Sequence, residues 1–387
     1  MNFELDKSDW VPVKLGEIVT KKEENDRENA QKRFDRFLKV EHMDAGSLHI
    51  KRWSSQEQGD EINPTFYKIF RAGQILFPTR NPHLRRTALA SFDGICGEKT
   101  LTLEPNKEMV CAEFIPFLFH SEAFYTHTTS SIIGSTNPHC RWRDVADYEF
   151  LLPPKEQQAM IAELLWAMDE VVERDQNTSN LSRTLIESFR KTHFEEMTPD
   201  GSLIGNIADV RAGVGFPLRF QGKKNCEYNF YKVADMNSEG NKRYLRLAKN
   251  TVSKDDLASL KAKPHPAGTI VFPKVGAAIA TEKKRILEEE SVIDNNTMGV
   301  TLTDSSISPV YLHEFFENMS ISSIANSGTV PSINATVIKG IPFCKPSSDT
   351  LKAFVDKIEV LYENAESAEH KHISSKSLQK SLINQVF

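Results

Sequence analysis

The stretch Thr79-Arg80-Asn81-Pro82-His83-Leu84-Arg85-Arg86 follows Phe77-Pro78 directly and concentrates guanidinium, amide and imidazole groups. Guanidinium forks suit phosphate oxygens or the guanine edge, and a side-chain amide suits adenine. Arg80, Asn81, His83, Arg85 and Arg86 are therefore candidate nucleic-acid contacts, with a solvated surface loop as the competing reading. A second stretch runs from Gly134 to Arg143. There Gly134 and Pro138 frame a rigid turn carrying Ser135, Thr136 and Asn137, and Arg141 and Arg143 are suited to phosphate. In the second half of the chain, Lys274, Thr281, Lys283, Lys284 and Arg285 occupy the place that corresponds to the first loop. Lys21, Lys22, Arg27, Lys32, Arg33 and Arg36 form another basic region. Acidic neighbours interleave with them, which reads as a solvated helix face.

Catalytic machinery is not evident. An adenine methyltransferase needs a glycine-bearing cofactor loop and an acidic–Pro-Pro–aromatic tetrapeptide to hold the flipped base. Neither occurs, nor does a GxxxxGK[ST] loop for ATP. Gly213-Val214-Gly215 reads as a turn. Glu282-Lys283-Lys284 has the shape of half a nuclease motif, without an aspartate on a preceding strand to complete it. The five cysteines form no CxxC pair or Cys/His ladder, so neither a disulfide framework nor a metal site is expected. His120, His139 and His193 are dispersed and read as structural or exposed.

These groups need a scaffold, and 387 residues fit two domains of ordinary size. A hydrophobic content of 39% and a charged content of 26% describe a globular chain. The net charge of −5 argues against non-specific coating of nucleic acid but permits a local basic patch. The opening MNFELDKSDW has no leader pattern, and no apolar run is long enough to span a membrane, so a cytoplasmic location is expected.

The chain repeats itself at an offset of about 193 residues. Leu15-Gly16-Glu17-Ile18 matches Ile204-Gly205-Asn206-Ile207. Phe37 to Met43 matches Phe230 to Met236. Ala72-Gly73-Gln74-Ile75-Leu76-Phe77-Pro78 matches Ala267-Gly268-Thr269-Ile270-Val271-Phe272-Pro273. Gly134 to Pro138 matches Gly328-Thr329-Val330-Pro331, and Leu185, Phe189 and Phe194 match Leu378, Leu382 and Phe387. The shared AGxIhFP pattern (h, apolar) predicts a turn glycine feeding a short buried strand. Thr100 to Leu103 and Met298 to Leu302 read as further strands. Phe114 to Tyr125 and Tyr311 to Ile324 read as amphipathic helices.

Each half ends in a long helical stretch. The first, from about Lys155 to Met197, carries Ile161, Leu164, Leu165, Met168, Val172, Leu185, Phe189 and Phe194 as an apolar stripe. Pro153-Pro154 sits at its start and Thr198-Pro199-Asp200-Gly201 at its end. The second, from about Ser347 to Phe387, carries Phe354, Ile358, Leu361, Leu378, Leu382 and Val386, with a polar middle from Asn364 to Lys376 that interrupts the seam. Each spans roughly 60 Å if unbroken, and two such helices most simply pair with each other.

The LGEI-like openings, the AGxIhFP strands, the Gly134-Ser135-Thr136-Asn137-Pro138 turn and Leu151-Leu152-Pro153-Pro154-Lys155-Glu156-Gln157-Gln158 carry a resemblance. In this layout the chain resembles the specificity (S) subunits of type I restriction–modification systems, whose conserved helix opens on a PLPPLxEQ segment. The second copy departs from the pattern. Gly328-Thr329-Val330-Pro331 lacks the serine, and Phe343 to Ser348 lacks the double proline and the EQ pair.

The resemblance implies an α+β chain with two similar target-recognition domains, residues 1–153 and 198–346. Between and after them lie long helices, residues 154–197 and 347–387, paired as an antiparallel coiled coil. Each domain would read one half of a split double-stranded DNA target and dock a methyltransferase subunit, two in all. Restriction subunits would complete the nuclease. No cofactor is expected in this chain, because AdoMet, ATP and magnesium belong to those partners. The competing readings are a stand-alone nuclease or methyltransferase, a non-DNA scaffold whose long helices hold protein partners, and a specificity subunit from a related DNA-modification defence system.

Overall fold

A computed structural model of the chain describes residues 5–198 and 200–387. Met1 to Glu4, at the opening read for a leader, and Pro199, in the segment read as a helix stop, lie outside the described residues. The chain divides into two compact units. One comprises residues 1–178 with 369–387, and the other comprises residues 179–368.

The first unit is built on a four-stranded sheet in the order Val19–Lys21, Thr100–Pro105, Ile75–Pro78, Ala88–Leu89. A five-stranded sheet orders Glu24–Asn25, Lys68–Phe70, Gly94–Cys96, Arg36–Leu38 and Ser54–Ser55. Val11–Lys14 pairs antiparallel with Glu149–Leu152, immediately before the first long helix. The second unit repeats this plan. Its larger sheet orders Ala208–Ala212, Thr297–Leu302, Ile270–Pro273, Arg285–Leu287 and Tyr244–Leu245, and its smaller sheet orders Asn250–Val252, Tyr228–Tyr231 and Ser291–Ile293.

The repeated motifs explain the repeated fold. Gly73 and Gly268 both adopt positive φ, +88° and +82°, which glycine tolerates without a Cβ clash. Each feeds a strand buried at all four positions, and each strand ends at a proline opposite the first residue of its partner: Pro78 with Thr100, Pro273 with Thr297. The LGEI and IGNI segments form single helical turns. A Cβ on Gly16 would stand 2.8 Å from Ala146 Cβ, and one on Gly205 would stand 3.0 Å from Lys339 Cβ. Ala146 and Lys339 belong to the short helices Trp142–Ala146 and Ala335–Lys339. Gly213, in the segment read as a turn, has no room for a side chain, since a Cβ would meet Ile293 O at 2.1 Å.

The long helices are Lys155–Glu196 and Ser348–Val386. Within the first unit they run antiparallel. Ile161 and Leu165 share a core with Ile383 and Val386, Gln379 donates to Asp169 at 2.8 Å, and Lys371 lies 3.8 Å from Asp175. Within the second unit Ile186 packs with Ile358 and Leu361, and Phe189 stacks on Phe354 at 5.3 Å. The start of the first helix is pinned by its glutamines. Gln157 accepts from Trp10 Nε1 at 2.9 Å, and buried Gln158 accepts from Cys111 N–H and donates to Pro153 O, both at 2.8 Å.

Some sequence expectations need correction. Leu164, Leu185 and Leu378 face solvent, at 42%, 53% and 60% exposure, while Ile186 is buried. The seam in the first unit is interrupted by buried polar residues, Ser375 within the polar middle of the second helix and also Asp169, Asp175 and Gln379 outside it. Phe114 to Tyr125 is two helices, Ile115–Leu118 and Glu122–Ser130, because Ser121 caps a new start by accepting from Phe124 N–H. Tyr311 to Ile324 likewise divides into Pro309–Glu317 and a separate turn at Ser322–Ile324. The basic region from Lys21 to Arg36 is mostly strand and turn, with a helix only at Ala30–Arg33.

Candidate nucleic-acid interface

The loop after Pro78 is held against the Gly134 turn by backbone bonds. Arg80 bridges His139, Asn81 N–H donates to Pro138 O at 3.1 Å, and Cys140 N–H donates to Thr79 O at 3.1 Å. The second unit repeats this junction bond for bond. Val275 bridges Ser332, Gly276 N–H donates to Pro331 O at 2.8 Å, and Ile333 N–H donates to Lys274 O at 2.9 Å. Asn81 and Gly276 both take positive φ, +50° and +70°. The short helical turns that follow, Pro82–Leu84 and Gly276–Thr281, both close on a left-handed residue: Arg85 at φ +53° and Glu282 at φ +52°. The two candidate stretches of the first unit therefore meet as one surface feature, and the second unit has its counterpart.

The side chains divide by how they are engaged. Arg80 is exposed, and its guanidinium has no hydrogen-bond or ion-pair partner among the described residues. His83, Ser135, Thr136 and Asn137 are exposed, and Asn81 is half-buried. Lys274 is half-buried, and its ammonium likewise lacks such a partner among the described residues. Thr281 is exposed and donates to Ala278 O at 2.6 Å. Apart from Thr281, whose hydroxyl is already donating, these groups can meet phosphates or base edges without first breaking an internal bond.

Others are occupied within their own unit. Arg85 makes a two-pronged ion pair with Glu122 and lies 5.0 Å from the Tyr125 ring. Arg85 and Lys380 together hold the Glu122 carboxyl down to about 2. Arg86 donates to Val40 O at 3.1 Å. Arg141 caps the Trp142–Ala146 helix through Asp144, at 3.0 Å from Nε, while exposed Arg143 shares the same carboxylate at 3.4 Å. Lys283 donates to Asn237, and Arg285 donates to Asn241 O at 2.6 Å and Lys284 O at 2.7 Å. Lys284 is buried, donating to Glu282 at 2.9 Å and Met319 O at 3.0 Å. Removing the charge of Arg85, Arg141, Lys284 or Arg285 breaks these internal bonds as well as any contact to a ligand.

The ExK-shaped segment is similarly spent. The Glu282 carboxylate accepts from Ile321 N–H at 2.8 Å, Ser322 N–H at 2.9 Å and Ser320 Oγ at 2.8 Å, besides Lys284. Burial pushes this carboxyl up, but those donors outweigh it and hold it at about 2. Of the histidines, His120 is half-buried beside Thr87 O at 3.1 Å, desolvation of its ring driving it down to about 4. His193 contacts the Tyr311 hydroxyl at 3.0 Å, and His139 sits half-buried in the turn.

A groove of about 300 Å³ opens beside the first loop, lined by Arg80, Lys99, Glu98, Asn63, Thr65 and Phe66 among others. Lys99 escapes reasoning from composition, because it stands alone in a turn. Its signal lies in register: it directly precedes the strand paired with Ile75–Pro78.

The family model for the type I restriction modification DNA specificity domain matches residues 7–181. No curated protein matches the chain. Among solved structures, a chain from a study of complex assembly and conformational transition of the type I R-M system aligns with a TM-score of 0.60. It shares 16% identity, over 98% of this chain and 97% of that one. The S subunit of the type I restriction–modification system from M. genitalium aligns with a TM-score of 0.59 at 13% identity, over 100% of this chain and 97% of that one. At these identities the structural likeness establishes a shared fold along the chain.

Proposed function

We propose, from the premise that this chain is a specificity subunit of the type I restriction–modification family, that each globular unit reads one half of a two-part DNA target. The observation that carries this reading is the duplicated junction of strand end, left-handed turn and proline-framed loop, bonded alike in both units. Two bodies with the same exposed junction are suited to two separate stretches of duplex. Arg80, Asn81, Asn137 and Lys274 are the side chains best placed to engage it, being exposed or half-buried and uncommitted.

In this reading the chain supplies recognition and no bond chemistry. Methyltransferase subunits, one per unit, bring AdoMet, and restriction subunits bring ATP and magnesium. The long helices set the separation of the half-sites. No helix among the described residues is long and apolar enough to cross a membrane, and the work takes place in the cytoplasm, where the DNA is.

Co-expression with a cognate methyltransferase, followed by mapping of methylated adenines, tests the reading. The expected result is a motif of two short specific parts with a fixed gap. Methylation at one contiguous motif would overturn the two-half reading. Turnover by the purified chain with magnesium or AdoMet alone would overturn the non-catalytic assignment.

A further inference from the structure

The strand-end junction contains a pair of positions whose side chains have changed places between the units. In the first unit Thr79 N–H donates to Lys99 O at 2.8 Å, and in the second Lys274 N–H donates to Asn296 O, also at 2.8 Å. The strand registers on either side agree, Pro78 with Thr100 and Pro273 with Thr297, so Thr79 corresponds to Lys274 and Lys99 to Asn296. Each pair keeps one lysine and one small neutral hydrogen-bonding residue, on opposite strands. The neighbours complete the exchange, with Arg80 corresponding to Val275 and Glu98 to Asn295. Lys99 lies 3.3 Å from Glu98, and Arg80 lines the same groove. In the first unit, then, an arginine and a lysine stand against one glutamate. In the second, a lysine stands among uncharged residues at the same four positions, with the Asp294 carboxylate buried behind them and accepting from Asn296 N–H at 3.1 Å. Over these four positions the net charge is a single positive charge in both.

Internal bonds account for the neutral residues but not for the lysines: buried Thr79 donates its hydroxyl to Lys99 O at 2.8 Å, and the Asn296 amide reaches Asp294 at 3.5 Å. Lys99 and Asn296 are exposed, and Lys274 has no internal partner among the described residues. A position that changes residue type and strand while keeping its charge is constrained by something outside the fold. We infer that Lys99 and Lys274 are equivalent phosphate-holding cations, one per unit, seating the DNA backbone beside the two recognition loops. The inference rests on the DNA-binding reading proposed above. A point charge on a flexible stem fits this work, since phosphate contacts fix register without carrying sequence information.

The test uses the full chain assembled with its methyltransferase, titrated against a long mixed-sequence duplex over a range of salt concentrations. For every phosphate the protein ceases to neutralise, the slope of log affinity against log salt becomes shallower by about 0.9. Lys99→Gln and Lys274→Gln are each expected to lower it by that amount, and the double variant by about twice as much. Lys99→Arg keeps the wild-type slope. The double substitution Lys274→Thr with Asn296→Lys moves the charge to the first unit's arrangement at an exposed position, and returns the slope that Lys274→Gln takes away. Wild-type slopes in both single glutamine variants, with DNA binding intact, would overturn this inference and leave the proposed function standing. A wild-type assembly that does not bind the duplex sinks both.

Discussion

Glu314 is fully buried yet charged, and its neighbours explain why. Arg190 Nε donates to it at 2.8 Å, His313 Nδ1 lies 3.0 Å away, and Arg243 lies 3.7 Å away. Burial alone pushes this carboxyl up; His313 and Arg190 outweigh that and hold it at about 2, against an ordinary 4.5. A carboxyl depressed by folding contributes stability that is complete above its unfolded value and is lost as pH falls from 4.5 toward 2. Glu314→Gln should cost the second unit on the order of 3 kcal/mol at neutral pH, since Arg190 loses its charged partner in a buried setting. It should also flatten the acid dependence of that unit's unfolding. Urea titration across the pH range checks both, and an unmoved midpoint would contradict the account. Nothing in Leu312-His313-Glu314-Phe315-Phe316 marks this residue as an arginine's partner, because Arg190 is 124 positions away. Arg85 shows the same limit from the other side. Its loop stands out by composition, but its commitment to Glu122 depends on a separate helix, and of the three arginines in that loop only Arg80 is left open to a ligand.

At the scale of elements, the turn glycines were legible because their requirement is local. Gly73 and Gly268 need positive φ, and the buried strand after each follows from four apolar or imino residues in a row. Gly16 and Gly205 are a different case, kept in both repeats by close approach to a neighbouring helix. Gly16→Ala and Gly205→Ala should each destabilise their own unit by about 1–3 kcal/mol through overpacking. Separate thermal melts of the two variants, with the affected region located by hydrogen exchange, check this. A loss confined to the wrong unit would refute the equivalence. The long helices were legible in extent and less so in facing. Leu185 and Ile186 are adjacent, about 100° apart around the helix, and periodicity through Phe189 selects the exposed one. The polar seam residue Asp169 looks like surface until Gln379 and His49 are brought to it, at 2.8 Å and 2.5 Å. The break at Ser121 was likewise hidden, since a cap is a matter of backbone angle as well as residue type.

At the scale of the whole molecule, the first unit is discontinuous in sequence and the second is not. Ile383 and Val386 are buried in the first unit's core, Phe387 packs on Phe114 at 4.8 Å, and Lys7 donates to Val386 O at 3.1 Å. Removing residues 369–387 should therefore unfold or loosen the first unit while sparing the second. Each buried aliphatic side chain removed forfeits about 1.5–3 kcal/mol. Limited proteolysis should find new cuts within residues 5–178, and continued resistance there would count against the assignment of those residues to the first unit. The same arrangement inverts the order in which a ribosome completes the two bodies. The later-encoded one has all of its own residues once position 368 has emerged, whereas the earlier-encoded one must wait, exposed and short of part of a helix, for residues 369–387. A nascent chain halted between positions 368 and 387 would carry one finished body and one unfinished, so products truncated there should be recognised by chaperones and proteases through residues 5–178.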